Sequence, residues 1–364
     1  MKYDNLFLFA IPSTLSTGHF NQYFIENSKN IYLFLMPLSI QKPLVTLTHY
    51  NNGKKIEEKI FFSYKGNNKF LRFLFIYLYY IYSVLFIIPR DTFIFATTPQ
   101  YCFFSNIFKI LKNIKIVYQI NDYYPNQKGL MRIYQHLVHY FSKHLRYVIY
   151  NSPAIKNKLY CKNISKGFIR ETCGWGIENK IISKEIKMNI LGFVGVVREG
   201  QGIELIFEVL KNNKDLKLEI IGDGPYLGSL KLLALKLKID GRVRFWGLVK
   251  SEGKIQKIVK HWAIGIAPYN PDTNNMSFYG EPSKTKFYLE YKIPVIMTKI
   301  TYMKDELLKY HAGEIIDYNQ KSLLTKISKI LNDYHSYIKG VNMLVSKYEY
   351  KSLYNNKFRF LLNS

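Results

Sequence analysis

Three short stretches in the second half of the chain combine glycines with polar or basic side chains. They contain Gly195 and Arg198, then Gly222, Asp223 and Gly224, then Ser283, Lys284 and Thr285. Glycine lets a backbone approach a ligand closely, and free N–H groups at a helix start attract phosphate. These residue types therefore indicate a site for a phosphate-bearing ligand.

Alternating elements must position these stretches. Between Asn189 and Pro294, apolar runs of about four to six residues alternate with helical patterns, which is typical of βα units on a parallel sheet. In such sheets, ligands bind at the carboxyl ends of the strands. We therefore expect the three stretches to meet at one edge of a sheet.

Two further candidates lie in the first half. His19 opens a helix after the strand Leu6 to Ile11, and Asp122 follows the strand Ile114 to Ile120. The alternative for His19 is an ordinary strand–helix turn, and for Asp122 a helix cap or turn.

Composition restricts the class of protein. The 364 residues are 48% hydrophobic, which indicates globular domains, and the net charge of +26 indicates anionic partners. Nothing resembles a nucleic-acid module, so we expect no nucleic-acid partner. Three cysteines without paired spacing favour a reducing, cytoplasmic compartment, and the N-terminus reads as a strand and not as a signal peptide.

One uncharged stretch is unusual. Phe73 to Ile88 is sixteen residues long, short for a spanning helix, and four tyrosines lie in its middle. It predicts a helix packed on the first sheet with an aromatic outer face, which could lie in a bilayer interface. The alternative is a helix buried on all sides.

Five motifs occur in order: FVG, IIGDGP, VRFWG, APY and PSK followed by PVI. This order resembles the donor half of glycosyltransferase family 4, well over residues 188–330 and in outline before them. The resemblance implies an α/β GT-B fold, with two Rossmann-like domains that face each other across a cleft. We expect domains at 1–177 and 178–345, and a C-terminal helix, 346–364, that crosses back to the first.

The resemblance implies that a nucleotide sugar binds the second domain. The Gly195 turn would meet the diphosphate, but the family's Arg and Lys are replaced by Val196 and Gln201. Arg198 is the candidate substitute. Lys284, with its neighbours Ser283 and Thr285, is a second candidate, and its alternative is a solvated surface lysine.

The carboxylates of the resembling family are only partly present. Glu281 is the candidate for the sugar hydroxyls, whereas Phe287 replaces the glutamate that would hold the ribose. The turn of Gly222, Asp223 and Gly224 would line the nucleotide side, or be purely structural.

In the first domain, the resemblance places His19 and Asp122 near the acceptor. It implies a metal-independent, hexosyltransferase-like enzyme that needs no cofactor beyond its nucleotide-sugar substrate, since no Asp-x-Asp element follows a strand. We expect retention of anomeric configuration. The alternatives are an epimerase or phosphorylase of the same fold, or a non-catalytic membrane-surface scaffold.

The expected acceptor is a lipid-linked glycan or another envelope polysaccharide precursor. The charge, the Phe73 to Ile88 helix and the basic helix Leu130 to Arg146 favour attachment to the inner face of the cell membrane.

Overall fold

The structure is a computed structural model that describes residues 2–10, 18–36, 45–61, 68–125, 127–159, 167–180, 183–271, 278–280 and 283–362. The chain divides into two compact units. Unit 1 comprises residues 1–176 and 350–364, and unit 2 comprises residues 177–349. The boundaries expected from the sequence lie within a few residues of this division.

Unit 1 is built on a mixed sheet. Its described elements before unit 2 are β1 (Tyr3–Ala10), α1 (Gly18–Asn27), β2 (Ser28–Leu35), β3 (Val45–Asn51), β4 (Lys54–Phe61), α2 (Lys69–Tyr82), a π-helical turn (Ser83–Ile87), β5 (Phe93–Ala96), α3 (Pro99–Ile107), α4 (Lys109–Lys112), β6 (Lys115–Ile120), α5 (Leu130–His144), β7 (Tyr147–Tyr150), α6 (Pro153–Leu159) and β8 (Ile169–Thr172). Within the described residues the strand order is β4-β3-β2-β1-β5-β6-β7-β8. Of the described strand pairs, only β2–β3 and β3–β4 are antiparallel.

Two features of this sheet do not follow from apolar runs in the sequence. Strand β8 pairs beyond β7, although all four of its residues are half-exposed and no apolar run marks it. The hairpin partner of β3 begins at Lys54, because Asn52 and Gly53 both adopt positive φ and form a two-residue turn.

Helices cover both faces of the unit 1 sheet. Leu6 and Leu8 pack with the aromatic residues of α1, whereas Phe7 contacts Tyr80 of α2 on the other face. Adjacent residues of a strand point to opposite faces, so β1 is buried on both sides.

Unit 2 is built on a parallel sheet. Its described elements are β9 (Lys187–Val194), α7 (Ile203–Asn212), β10 (Lys217–Ile221), α8 (Leu227–Lys236), a 3-10 turn (Asp240–Arg242), β11 (Val243–Gly247), α9 (Glu252–Val259), β12 (Trp262–Ala267), α10 (Ser283–Glu290), β13 (Val295–Thr298), α11 (Met303–Lys309), β14 (Gly313–Ile316), α12 (Gln320–Asn332) and α13 (Tyr334–Tyr348). The strand order among the described residues is β11-β10-β9-β12-β13-β14, and every pair is parallel. Separate apolar clusters cover its two faces.

The end of the chain returns to unit 1. The sequence predicts one C-terminal helix at 346–364, but α13 already occupies Tyr334–Tyr348 within unit 2. After it, α14 (Tyr350–Lys357) and a 3-10 turn (Arg359–Leu362) belong to unit 1, where Tyr354 and Phe358 pack on Phe20 of α1.

Candidate functional site

Two glycine turns interlock at the carboxyl ends of β9 and β10. Gly195 N donates to Ile221 O at 2.9 Å, and Val197 N donates to Asp223 O at 3.0 Å. Gly222 has a φ of +146°, and a Cβ there would lie 1.9 Å from Gly195 O. Only glycine fits that contact, so the sequence requirement at Gly222 is a close approach between two backbones.

Tyr288 fixes α10 against the same edge. Its hydroxyl accepts from Val194 N at 3.1 Å and donates to Ile266 O at 3.0 Å, which ties α10 to β9 and β12. The ring occupies the space over Gly265, where a Cβ would lie 2.3 Å from it. Lys284 precedes Tyr288 by four residues and so shares its helix face, directed at the Gly195 turn.

Lys284 lies directly against the first glycine turn. A Cβ on Gly195 would lie 2.7 Å from Lys284 Cε. The ammonium donates to Gln201 Oε1 and lies 5.0 Å and 4.9 Å from the ring centres of Phe193 and Tyr269. Gln201, where the resemblance leads us to expect a lysine, therefore accepts a hydrogen bond from a lysine of α10.

The charge of Lys284 is poorly compensated. Burial, and after it the positive charge of Arg198, lower the pKa of the Lys284 ammonium from 10.5 to about 7. The electrostatic effect of Arg198 also reaches Tyr269, where it acts against the strong upward effect of burial on the pKa of that phenol. Two cationic side chains thus converge at the Gly195 turn, where an anion would stabilise both.

The other predicted donor residues differ in accessibility. The exposed Asp223 accepts from Gly224 N at 2.7 Å, so its carboxylate stabilises its own turn. Ser283 is exposed at the start of α10. Thr285, in contrast, is fully buried, and its hydroxyl donates to Met297 Sδ at 3.8 Å. The Thr285 side chain thus points into the core, and its contact with the donor stays a prediction.

Glu281 lies outside the described residues. Glu290, the other acidic residue near it in the sequence, forms an ion pair with Lys180 at 2.6 Å. Lys180 also pairs with Glu252 at 2.5 Å, and Tyr291 donates to the same carboxylate. The Glu290 carboxylate thus belongs to a cluster that joins three segments of unit 2.

In unit 1, the structure places His19 and Asp122 on different elements. His19 is on the first turn of α1, where its ring stacks on Tyr350 with 5.0 Å between centres. Asp122 is exposed in the segment that follows β6.

Side-chain oxygen atoms without hydrogen-bond partners among the described residues follow three neighbouring strands of unit 1. Among the described residues, Thr97 Oγ1, Thr98 Oγ1, Asn121 Oδ1 and Asn151 Oδ1 are buried and accept or donate no hydrogen bond. They follow β5, β6 and β7, which pair in register, so they lie along one sheet edge. Asn151 is only 2% exposed. Unpaired buried polar atoms cost stability, so their clustering indicates a binding function.

Sequence reasoning missed these four residues. The available signal was their position, because each comes directly after a short apolar strand and before a helix. Their oxygen atoms are enclosed in this conformation, so a ligand would reach them after a side-chain rotation.

A family model matches the second half of the chain. Residues 177–343 match the family described as Glycosyl transferases group 1. No curated protein sequence matches the chain.

Solved structures show the fold. A sucrose-phosphate synthase from Thermosynechococcus elongatus is similar with a TM-score of 0.72 and 12% identity, over 99% of this chain and 98% of that one. Anabaena HepE in complex with UDP and glucose gives 0.67 and 12%, over 98% and 99%. The apo form of WaaB, a lipopolysaccharide outer core galactosyltransferase, gives 0.60 and 14%, over 99% of both chains. Together they identify the α/β architecture as GT-B, with two Rossmann-like units.

Proposed function

We propose that this chain, whose residues 177–343 match the family of group 1 glycosyl transferases, moves a sugar from a nucleoside-diphosphate sugar to an acceptor hydroxyl. The observation that carries this proposal is the convergence of Lys284 and Arg198 at the glycine turns of unit 2. HepE, which shares the fold, was solved with UDP and glucose, so a uridine nucleotide is the first donor to test.

The unit 2 edge has the charge that donor cleavage needs. When the bond between the anomeric carbon and the phosphate oxygen breaks, negative charge accumulates on the diphosphate. The Lys284 ammonium, the Arg198 guanidinium and the first N–H groups of α10 would stabilise that charge. We propose that these groups act without a metal or a further cofactor.

The unit 1 edge has the chemistry of a hydroxyl-binding surface. Among the described residues, the hydroxyls of Thr97 and Thr98 and the amide oxygens of Asn121 and Asn151 lack protein partners, and such neutral groups suit neutral hydroxylated ligands. Asp122 would orient the attacking hydroxyl or take its proton. We propose that the anomeric configuration is retained.

We propose a lipid-linked or other envelope-glycan precursor as the acceptor, used at the inner face of the cell membrane. Two observations support this choice: the net charge of +26 and the apolar helical segment Phe70–Ile87 of unit 1. The printed name of WaaB describes a lipopolysaccharide galactosyltransferase of the same fold.

The test is to incubate the full chain with UDP-sugars, with and without membrane extracts rich in lipid-linked glycans. The proposal expects slow UDP release from one donor alone and faster release with the extract, together with transfer of labelled sugar to lipid. Rapid conversion of the donor to an isomer without acceptor would instead show an epimerase. A chain that neither binds nor turns over any nucleotide sugar would contradict the proposal.

A further inference from the structure

Helix α2 and its π-helical continuation have two apolar stripes on opposite sides. Ile76, Tyr80 and Val84 are buried, and Tyr80 packs on Phe7 and Phe34 of the sheet at 5.5 Å and 5.8 Å between ring centres. This inner stripe repeats every four residues, as expected for a helix that packs on a sheet.

The outer stripe has the same four-residue spacing but faces away from the sheet. It comprises Phe70, Leu74, Leu78, Tyr82 and Phe86. All five side chains are exposed, Phe70 by 74% and Phe86 by 73%. A helix that faces only water and the core would have polar residues here. Within the described part of the chain, the outer stripe is therefore an exposed apolar surface, and Tyr82 also contacts the ring of Phe61 at 6.3 Å between centres.

The neighbouring helices extend this surface. Tyr77 of α2 contacts Tyr101 and Phe104 of α3, each at 5.4 Å between ring centres, and α3 packs against α5. Ile110 of α4 is 93% exposed, and Leu130 of α5 is 84% exposed. We call this surface, made by the outward residues of α2 to α5, the α2–α5 face. An apolar area that extends over several helices marks an interaction site.

The charged side chains on the helices of the α2–α5 face are all basic. None of its helices contains Asp or Glu, whereas Lys109, Arg132 and Lys143 are exposed on α4 and α5. From residue 68 to residue 146 the sequence has ten Lys or Arg and only two acidic residues, Asp91 and Asp122. Apolar side chains complement the acyl chains of a bilayer, and the neighbouring cations complement its anionic headgroups.

We propose that unit 1 docks on an anionic lipid bilayer through the α2–α5 face, with α2 lying in the plane of the interface. Of the described residues, the one helical segment that passes a length and composition test for crossing a membrane is Phe70–Ile87. Its inner stripe is committed to the sheet, so it lies on the bilayer and does not cross it.

The docked face adjoins the polar sheet edge. Thr98 immediately precedes α3, and Asn121 precedes the segment that leads into α5. Bilayer docking would thus bring the unit 1 edge close to lipid headgroups, and this link to a lipid-linked acceptor rests on the proposed function. The binding of unit 1 to lipid does not rest on the proposed function.

The experiment is flotation of the full chain with vesicles of phosphatidylcholine alone and of equal parts phosphatidylcholine and phosphatidylglycerol. The parent should float with the anionic vesicles, and less so at high salt. The triple variant Leu74→Gln, Leu78→Gln, Phe86→Gln should lose at least tenfold in partitioning. Each of Lys109→Gln, Arg132→Gln and Lys143→Gln should lose about fivefold.

Matched controls separate docking from misfolding and from loss of function. Leu232→Gln with Leu235→Gln removes equally exposed leucines from α8 in unit 2 and should leave flotation unchanged. UDP binding and the melting temperature should match the parent in every docking variant. If the α2 variant floats like the parent, or the parent stays soluble at low salt, the docking proposal fails while UDP binding still tests the function.

A second copy of the chain is the competing occupant. Light scattering without vesicles should give the same mass for the parent and for the α2 triple variant. A parent dimer that the triple variant dissociates, combined with no flotation, would assign the α2–α5 face to self-association and overturn the proposal.

Discussion

The carboxyl edges of the two sheets have opposite chemistry. In unit 2, glycine turns satisfy one another's backbone groups, and Lys284 and Arg198 bring two positive charges to them. In unit 1, the same edge has neutral hydroxyl and amide oxygens that lack protein partners, with Asp122 beside them. The same Rossmann-like architecture thus offers one edge suited to a diphosphate and another suited to neutral hydroxyl groups.

The largest expected effect is at Asp122. Asp122→Asn keeps the shape of the side chain but removes its basicity, so transfer to acceptor should fall by about 100-fold or more. The Kd for UDP should stay at the parent value, because Asp122 is not in unit 2. The rate of sugar transfer and the Kd for UDP by calorimetry, measured on the same preparation, check the two expectations. Parent-like transfer would reduce Asp122 to a structural residue.

The next largest expected effect is a loss of donor affinity in variants of unit 2. Lys284→Met and Arg198→Ala should each lose about 1.5–3 kcal/mol of donor affinity, or about 10- to 150-fold in Kd for UDP, because each removes a charged contact to phosphate. Lys254→Ala, an exposed lysine on α9, is the matched control and should bind UDP like the parent. If both site variants bind UDP as tightly as the control, the cations do not meet the diphosphate.

The two units also differ in how much of each could be predicted from the sequence. The unit 2 strands were predictable because apolar runs and glycine turns alternate regularly, and Lys284 because it starts a helix. The Lys284–Gln201 contact was not, since it joins residues 83 positions apart. Strand β8 was not predicted because its sequence, IRET, has no apolar run. The sequence could not predict that the side-chain oxygens of Thr97 and Asn121 lack partners, because hydrogen bonding depends on which residues are neighbours in space.

A smaller effect tests the unit 1 edge. Thr98→Val replaces an unpartnered hydroxyl by a methyl group of similar shape, so the melting temperature should stay level or rise. Transfer should nevertheless fall by about 2- to 10-fold in kcat/KM, since a contact to the acceptor is lost. In Thr92, by contrast, the hydroxyl donates to Pro89 O at 2.8 Å, so Thr92→Val should lower stability. Equal destabilisation by both changes would contradict a ligand-binding role for Thr98.

The smallest expected effect is the uptake of protons when UDP binds. Because the pKa of Lys284 is about 7 without ligand, part of the population is deprotonated at neutral pH, and a bound diphosphate would raise that pKa. Binding of UDP near pH 8 should therefore take up a fraction of one proton, and affinity should fall as pH rises above about 7. Calorimetry in buffers of different ionisation enthalpy measures the uptake. The same uptake in Lys284→Met would show that another group titrates.

The most direct test of the division between the two edges is hydrogen exchange of the full chain with and without UDP. The account predicts slower exchange at the Gly195 to Gly202 turn and at the start of α10, and the loss of this protection in Lys284→Met. Binding of UDP that slows exchange after β5 and β6 of unit 1 and leaves these unit 2 segments unchanged would contradict it.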